Sequence, residues 1–423
     1  MPRPSEALTI MVPNRPGPSR RQFLQRAALV AAGTPAMAWL LQACAEPGET
    51  TSAPTMTVAA PDKPVLWDIP EDNRPIADGL APEKDTTLQL YSYADYISPD
   101  AIKSFQDKYQ TTVQVSTFND TDEAITKIRG GGVDYDVFFP SYDQIGRLVT
   151  GSLLRPLNHS YIPNIKNVWP VFTNPWYDQQ WRYTVPYTVY TTGIGWNNTE
   201  VPADIGALSN PYAALWDPVY KNKTGLIDDW HTAMSMVLLK QGITDINTSS
   251  PEDVQMIGEQ LTALVAATSP KVTITMYTDV PSGQIGLSQM WSGDIINAQN
   301  YLPDGVKPDI LRYWFPADGK GQVDNDLIVL LRGGKNPVLA HLFMNHMLET
   351  EVAKQNFTQI GYQPPQVSIN PDTLVADGFI PANLTSAVVR PEYFDVGYRL
   401  LELEPANDAA WRNVWRAFKA GGG

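Results

Sequence analysis

Cysteine is nearly missing: the 423 residues contain one, Cys44. No intrachain disulfide can form, so nothing in the fold depends on an oxidising compartment, and once that residue is assigned to a lipid no cysteine nucleophile is left. Histidine is scarce too, with four. His341 and His346 stand five apart with no acid between them, so a helix would not aim both at one zinc as His-Glu-x-x-His does. Each reads as a surface or core histidine. Gly130-Gly131-Gly132 lacks the Lys-Ser/Thr of a phosphate loop, and no Gly-x-Ser-x-Gly elbow occurs. No catalytic set and no cofactor is therefore expected. Basic residues are outnumbered, leaving a formal net charge of -14. Phosphate backbones would be repelled, which argues against nucleic acid, whereas small cations would be attracted. The apolar run from Ala27 to Leu41 covers about 15 residues, too short and too rich in Ala and Gly for a stable spanning helix.

That run belongs to an export address. Ser19-Arg20-Arg21-Gln22-Phe23-Leu24 precedes it, and paired arginines ahead of a short apolar segment make a twin-arginine signal. Leu41-Gln42-Ala43-Cys44 closes it and resembles the bacterial lipoprotein box, with Gln42 where a smaller residue is usual. Residues 1–43 are then a removable signal peptide and Cys44 the lipid anchor. The competing reading is an ordinary cleaved signal with an incidental cysteine. The twin-arginine route moves chains already folded, so the expected location is the extracytoplasmic face of the cytoplasmic membrane, periplasmic or its equivalent, lipid-anchored.

Residues 44–85 are rich in Pro, Thr, Ala and Asp and read as a tether, whose second half, around Trp67 to Leu80, is apolar enough to lie against the body. Beyond it lie about 340 residues, enough for two domains. Leu88 to Ser92 alternates as a strand. Ser98-Pro99 opens a helix, Val113 to Val115 is a strand, Glu123 to Arg129 a helix, and Val137 to Phe139 a buried strand. Such alternation predicts an α/β fold with parallel pairing and ligand-facing loops at the carboxyl ends of the strands. Further strands are expected at Thr191 to Trp196 and at Leu226 to Ile227, the latter ending at Asp228-Asp229. Further helices are expected from Ala233 to Lys240, after Ser250, and from Asn336-Pro337 to about Phe357. Twelve Trp and nineteen Tyr are many. Rings and carboxylates together at strand ends suit a small organic cation, because ring faces attract cations and carboxylates fix ammonium groups. The alternative is that the rings simply pack between domains.

Leu90-Tyr91-Ser92-Tyr93-Ala94-Asp95-Tyr96-Ile97 and Asp134-Tyr135-Asp136-Val137-Phe138-Phe139-Pro140-Ser141 resemble the opening of the bacterial spermidine/putrescine-binding proteins that feed ABC importers. Pro186-Tyr187, Gly193-Ile194-Gly195, Leu215-Trp216-Asp217-Pro218, Met290-Trp291-Ser292-Gly293 and Ile360-Gly361-Tyr362-Gln363-Pro364 recur in the family's order. The resemblance runs from about Trp67 onward. It implies a two-lobed periplasmic-binding-protein fold of type II, a venus flytrap with a hinge of crossing segments near Thr191 to Ile194, Gly319 to Val323 and Pro371. Lobe 1 would hold residues 86–190 and 324–370, and lobe 2 residues 191–323 and 371–423. The implied function is capture of a putrescine- or spermidine-like amine by a monomer and its delivery to an ABC permease, with no catalysis. Tyr93, Tyr96, Ser141, Asp229, Trp291 and Tyr362 fall on the family's binding positions. Departures accompany them. Thr232 stands where a second acid is common, Val323 and Asn325 fall on an aromatic-x-acid pair, and Arg416 replaces a glutamine. In that register the cleft has lost acids and gained a cation, with Asp143 and Asp279 as compensating candidates, or Asp324 and Asp326 if the register is off by one. Putrescine or a monocationic amine is then expected to bind at least as tightly as spermidine. The rivals are a zwitterionic or anionic ligand drawn by Arg416, or a secreted hydrolase.

Overall fold

The alternation at Thr87–Tyr93 produces strand β1, flanked on both sides by parallel partners, β2 (Thr112–Phe118) and β3 (Val137–Phe138). The structure is a computed structural model that describes residues 57–421 apart from residue 133. The export address and Cys44 lie outside the described residues. Among the described residues no helix is long and apolar enough to cross a membrane.

The remaining strands are β4 (Thr184–Asn197), β5 (Thr224–Ile227), β6 (Lys271–Thr273), β7 (Leu287–Trp291), β8 (Leu311–Trp314) and β9 (Gln322–Leu330). Their order is β2-β1-β3-β9-β4-β7-β5-β6, with β8 also paired to β4. The long β4 explains this continuity. Its first half pairs antiparallel with β9 and its second half with β7 and β8, so β4 and β9 carry the chain between two lobes. Gly193 sits at the changeover because a Cβ there would lie 2.1 Å from the Trp314 carbonyl oxygen.

Helices α1 (Pro99–Tyr109), α2 (Thr121–Gly130) and α3 (Ile145–Thr150) follow the first strands. Then come α4 (Trp230–Lys240), α5 (Pro251–Thr268), α6 (Met276–Asp279), α7 (Ser292–Asn297), α8 (Pro337–Met347), α9 (Thr350–Ile360), α10 (Tyr393–Val396) and α11 (Pro405–Ala420). Local sequence sets several boundaries. Ser98, Asp120 and Ser250 cap α1, α2 and α5 with side-chain oxygens, and Gly131, at φ 62°, ends α2. The single helix expected from Pro337 to about Phe357 is two, because Glu349, held by Lys108, takes an extended conformation (φ -68°, ψ 128°).

Each lobe has its own apolar core. Leu90, Phe105, Val137 and Phe343, with Phe118, Phe138 and Ile145 on the other sheet face, fill the first. Leu226, Val237, Leu261 and Trp411, with Ile227, Met290, Tyr313 and Leu384, fill the second. The N-terminal segment docks on the first lobe. Trp67 is buried and donates its indole N–H to the Tyr177 carbonyl at 2.8 Å, Asn73 donates to the Leu154 carbonyl, and the Glu83 carboxylate accepts the Val338 and Leu339 amides at the start of α8.

Candidate functional site

The carboxyl ends of β1, β3, β5 and β7 open onto one cleft between the lobes, as expected of open α/β sheets. It encloses a cavity of about 210 Å3. Among the described residues nine aspartates line it, and no lysine or arginine does. This imbalance dominates its chemistry.

Five of the eight tyrosine and tryptophan rings in its lining pack against one another. Tyr93 and Tyr96 leave the end of β1 with centroids 5.8 Å apart and planes at 88°. Tyr96 meets Tyr362 edge-on at 5.0 Å; Tyr190 meets Tyr362 at 5.7 Å and Trp291 at 6.2 Å. Tyr362 can lie there because residue 293 is glycine, where a Cβ would fall 2.4 Å from its ring. Trp291 ends β7, and its indole nitrogen is buried with no hydrogen-bond partner among the described residues.

Hydroxyl groups on these rings organise the carboxylates. Asp326 accepts from Tyr96 at 2.6 Å, Ser141 at 2.6 Å and Tyr190 at 3.0 Å. Asp324 accepts from Tyr142 at 2.7 Å and from the Gln322 amide at 2.8 Å. Asp294, in the first turn of α7, accepts from Tyr362 at 2.7 Å through one oxygen, and its other oxygen is buried without a partner. Asp229 caps α4 by accepting the Thr232 amide at 2.8 Å while also lining the cleft.

Burial in such company favours the neutral acid. It pushes Asp294 up to about 7 against the Tyr362 hydrogen bond, and Asp143 up to about 8, with Arg147 opposing and Asp229 and Asp324 adding. Asp143 keeps part of its surface open to the cleft. Asp229, Asp324 and Asp326 are raised by the same burial, opposed by their hydrogen bonds and, at Asp324, by Arg399. His231 adds no positive charge, since burial, with Arg147 and Arg412 nearby, lowers it to about 3. A cation entering this cleft would relieve the repulsion and donate to the unpartnered Asp294 oxygen.

Tyr93, Tyr96, Ser141, Asp143, Asp229, Trp291 and Tyr362 all line this cleft, as does Thr232. Asn325 does not. It lies on the opposite face of β9, donating to the Tyr177 hydroxyl at 3.1 Å and accepting from Arg399 at 2.6 Å. The cleft-facing pair on β9 is Asp324 and Asp326, one residue out of the expected register. Asp279 is also elsewhere, paired with Lys271 at 2.8 Å. Arg416 lies on the exposed side of α11, hydrogen-bonded to Asn413, and lines a separate depression beside Asp120, Asp228 and Trp230 but not the cleft itself. The expectation of lost acids and a gained cation is thus reversed. Sequence reasoning missed Asp294 and Tyr190. Asp294 had a signal, because it stands three residues after Trp291, one helical turn on and on the same side. Tyr190 had no such signal, since β4 is buried along its whole length.

The description "Bacterial extracellular solute-binding protein" matches residues 100–381, more than half of the chain. The spermidine/putrescine-binding periplasmic protein 1 of Haemophilus influenzae is 28% identical over 283 residues, covering 65% of this chain and 74% of that one. The putrescine/cadaverine-binding protein of Pseudomonas aeruginosa is 24% identical over 356 residues, covering 81% and 95%. Among solved structures, the spermidine/putrescine ABC transporter substrate-binding protein PotD of Streptococcus pneumoniae superposes with a TM-score of 0.63 at 25% identity, covering 79% of this chain and 99% of that one. The two lobes, the crossing strands and the cleft at the strand ends are the architecture of that family, and the chain belongs to the bacterial extracellular solute-binding proteins.

Proposed function

We propose that this protein captures a linear amine of the putrescine/spermidine class between its lobes and delivers it to an ABC permease, without catalysing a reaction. The observation that carries this reading is the cleft lining itself, with nine aspartates, eight tyrosine and tryptophan rings and neither lysine nor arginine among the described residues. Ammonium groups would pair with Asp326 and Asp294, whose tyrosine partners fix them in place, and methylenes would lie on the faces of Trp291, Tyr93 and Tyr96. Asp143 and Asp229 offer further carboxyl groups, which a neighbouring ammonium would draw into the charged form, so the argument against a triamine, which rested on missing acids, lapses. So does the anionic rival, since Arg416 is not in the cleft. The names of the relatives support the same ligand class. The export address adds twin-arginine passage and attachment through Cys44, which would hold the protein at the outer face of the cytoplasmic membrane.

Titration calorimetry on protein stripped of carried-over ligand tests this with putrescine, spermidine, γ-aminobutyrate and glutamate. The expected result is saturable heat with one or both polyamines and none with glutamate. Heat from glutamate alone, or turnover of an amine, would refute the proposal.

A further inference from the structure

Beside the cleft, α2, α3 and α11 meet in a network of two arginines and three acids. Arg147 on α3 pairs with Asp122 at 3.0 Å, Glu402 at 3.2 Å and Asp408 at 3.7 Å. Arg412 on α11 pairs with Asp408 at 2.6 Å and with both oxygens of Asp122. The five side chains are between 5% and 35% exposed, so salt and water screen them less than ordinary surface pairs.

The two ends of this network belong to different lobes. Ala124 and Ile125 of α2 and Ile145 and Leu148 of α3 pack in the core of the first lobe. Leu403, and Trp411 and Phe418 of α11, pack in the core of the second. The pairs from Arg147 to Glu402 and Asp408, and from Arg412 to Asp122, therefore cross between lobes. Local features prepare this contact. Residue 146 is glycine, and a Cβ there would fall 2.0 Å from Glu402 Oε2, while the Arg412 guanidinium lies over the Trp230 ring at 4.5 Å. Asp122 also lines the cleft, whereas neither arginine does.

We infer that this network is a latch for the closed lobes, with Arg147 and Arg412 as positioning residues that slow ligand escape without touching the ligand. The inference rests on reading the chain as an amine-binding protein. A ligand shifts the open–closed balance only through its preference for the closed form, and cross-lobe ion pairs add to that form alone. Their loss acts on the dissociation rate. The sign separates this role from simple electrostatics. Removing a positive charge beside an acidic cleft would, by long-range attraction alone, tighten binding of a cation. The latch requires the reverse.

The test compares the whole chain with its Arg412→Met, Arg412→Lys and Arg147→Met variants, with Glu402→Gln as a second probe should a variant fold poorly. Putrescine and spermidine association and dissociation are followed by stopped-flow tyrosine and tryptophan fluorescence, and ligand-free lobe separation by small-angle scattering. Each Met variant is expected to dissociate about tenfold faster with an unchanged or faster association rate, and to show a larger ligand-free radius of gyration. Arg412→Lys should recover part of the loss. Unchanged dissociation, or tighter binding, with an unchanged radius would overturn the latch. If neither polyamine binds the unaltered chain, the ligand reading falls, and the scattering comparison alone still decides whether the latch exists.

Discussion

Replacing Asp294 by Asn separates a ligand partner from a structural residue, because the two roles predict opposite signs. The side chain is buried, with one oxygen bonded to Tyr362 and the other unpartnered. If that oxygen meets an ammonium group, removing its charge costs about 2 to 4 kcal/mol of binding, or roughly 30- to 1,000-fold in Kd. Stability of the ligand-free protein responds differently. Burial raises the native carboxyl from 3.8 to about 7, so between those values the native state holds the proton that the unfolded state has lost, and stability falls as pH rises. The loss by pH 8 is on the order of 4 kcal/mol. Asn does not titrate, and its unpaired amide costs about 1 to 3 kcal/mol at every pH. At pH 8 the ligand-free variant should therefore melt no lower than the parent, whereas at pH 4, where the parent has lost little of that stability, it should melt lower. Putrescine binding near pH 7 should release a proton in the parent, read from calorimetry in buffers of different ionisation heat, and less in the variant. A lower melting temperature at pH 8 with unchanged affinity would refute this reasoning.

Gly293→Ala places a methyl group in the Tyr362 ring and should displace it from Asp294, weakening polyamine binding about tenfold or more while far-ultraviolet circular dichroism stays native. Asp229→Asn keeps an equally good helix cap and should lose affinity with thermal stability nearly unchanged, whereas Asp229→Ala should lose both, the cap contributing about 1 kcal/mol. Arg20→Lys with Arg21→Lys should leave unprocessed precursor inside the cell, and Cys44→Ala should release the protein from the membrane. Continued membrane retention of the Cys44→Ala protein would count against the lipid anchor.

What could be read from the sequence follows from how local each signal is. The parallel first sheet was legible because alternation at Leu88 to Ser92, caps at Ser98 and Ser250 and the glycines after Arg129 are properties of a few adjacent residues. The cleft residues at strand ends, Tyr93 to Tyr96, Ser141 to Asp143 and Asp229, inherited that precision, since their position needs only the strand to end where it does. Strand β9 shows the limit. Side chains alternate with a period of two, so assigning Asn325 in place of Asp324 and Asp326 is an error of one residue that moves the whole set to the wrong face. Nothing local corrects it, because Gln322 to Leu330 is buried throughout and carries no polar–apolar alternation to mark the cleft side. The register is set instead by partners far along the chain, with Val189 opposite Asn325, and Tyr96, Ser141 and Tyr190 all reaching Asp326. Arg416 failed for the same reason, since it lies beside the cleft and bonds Asn413 of its own helix, and the α11 side chain that pairs with the cleft-lining Asp122 is Arg412, one turn earlier. That single turn separates a cation that would have opposed an amine from one that joins the lobes around it.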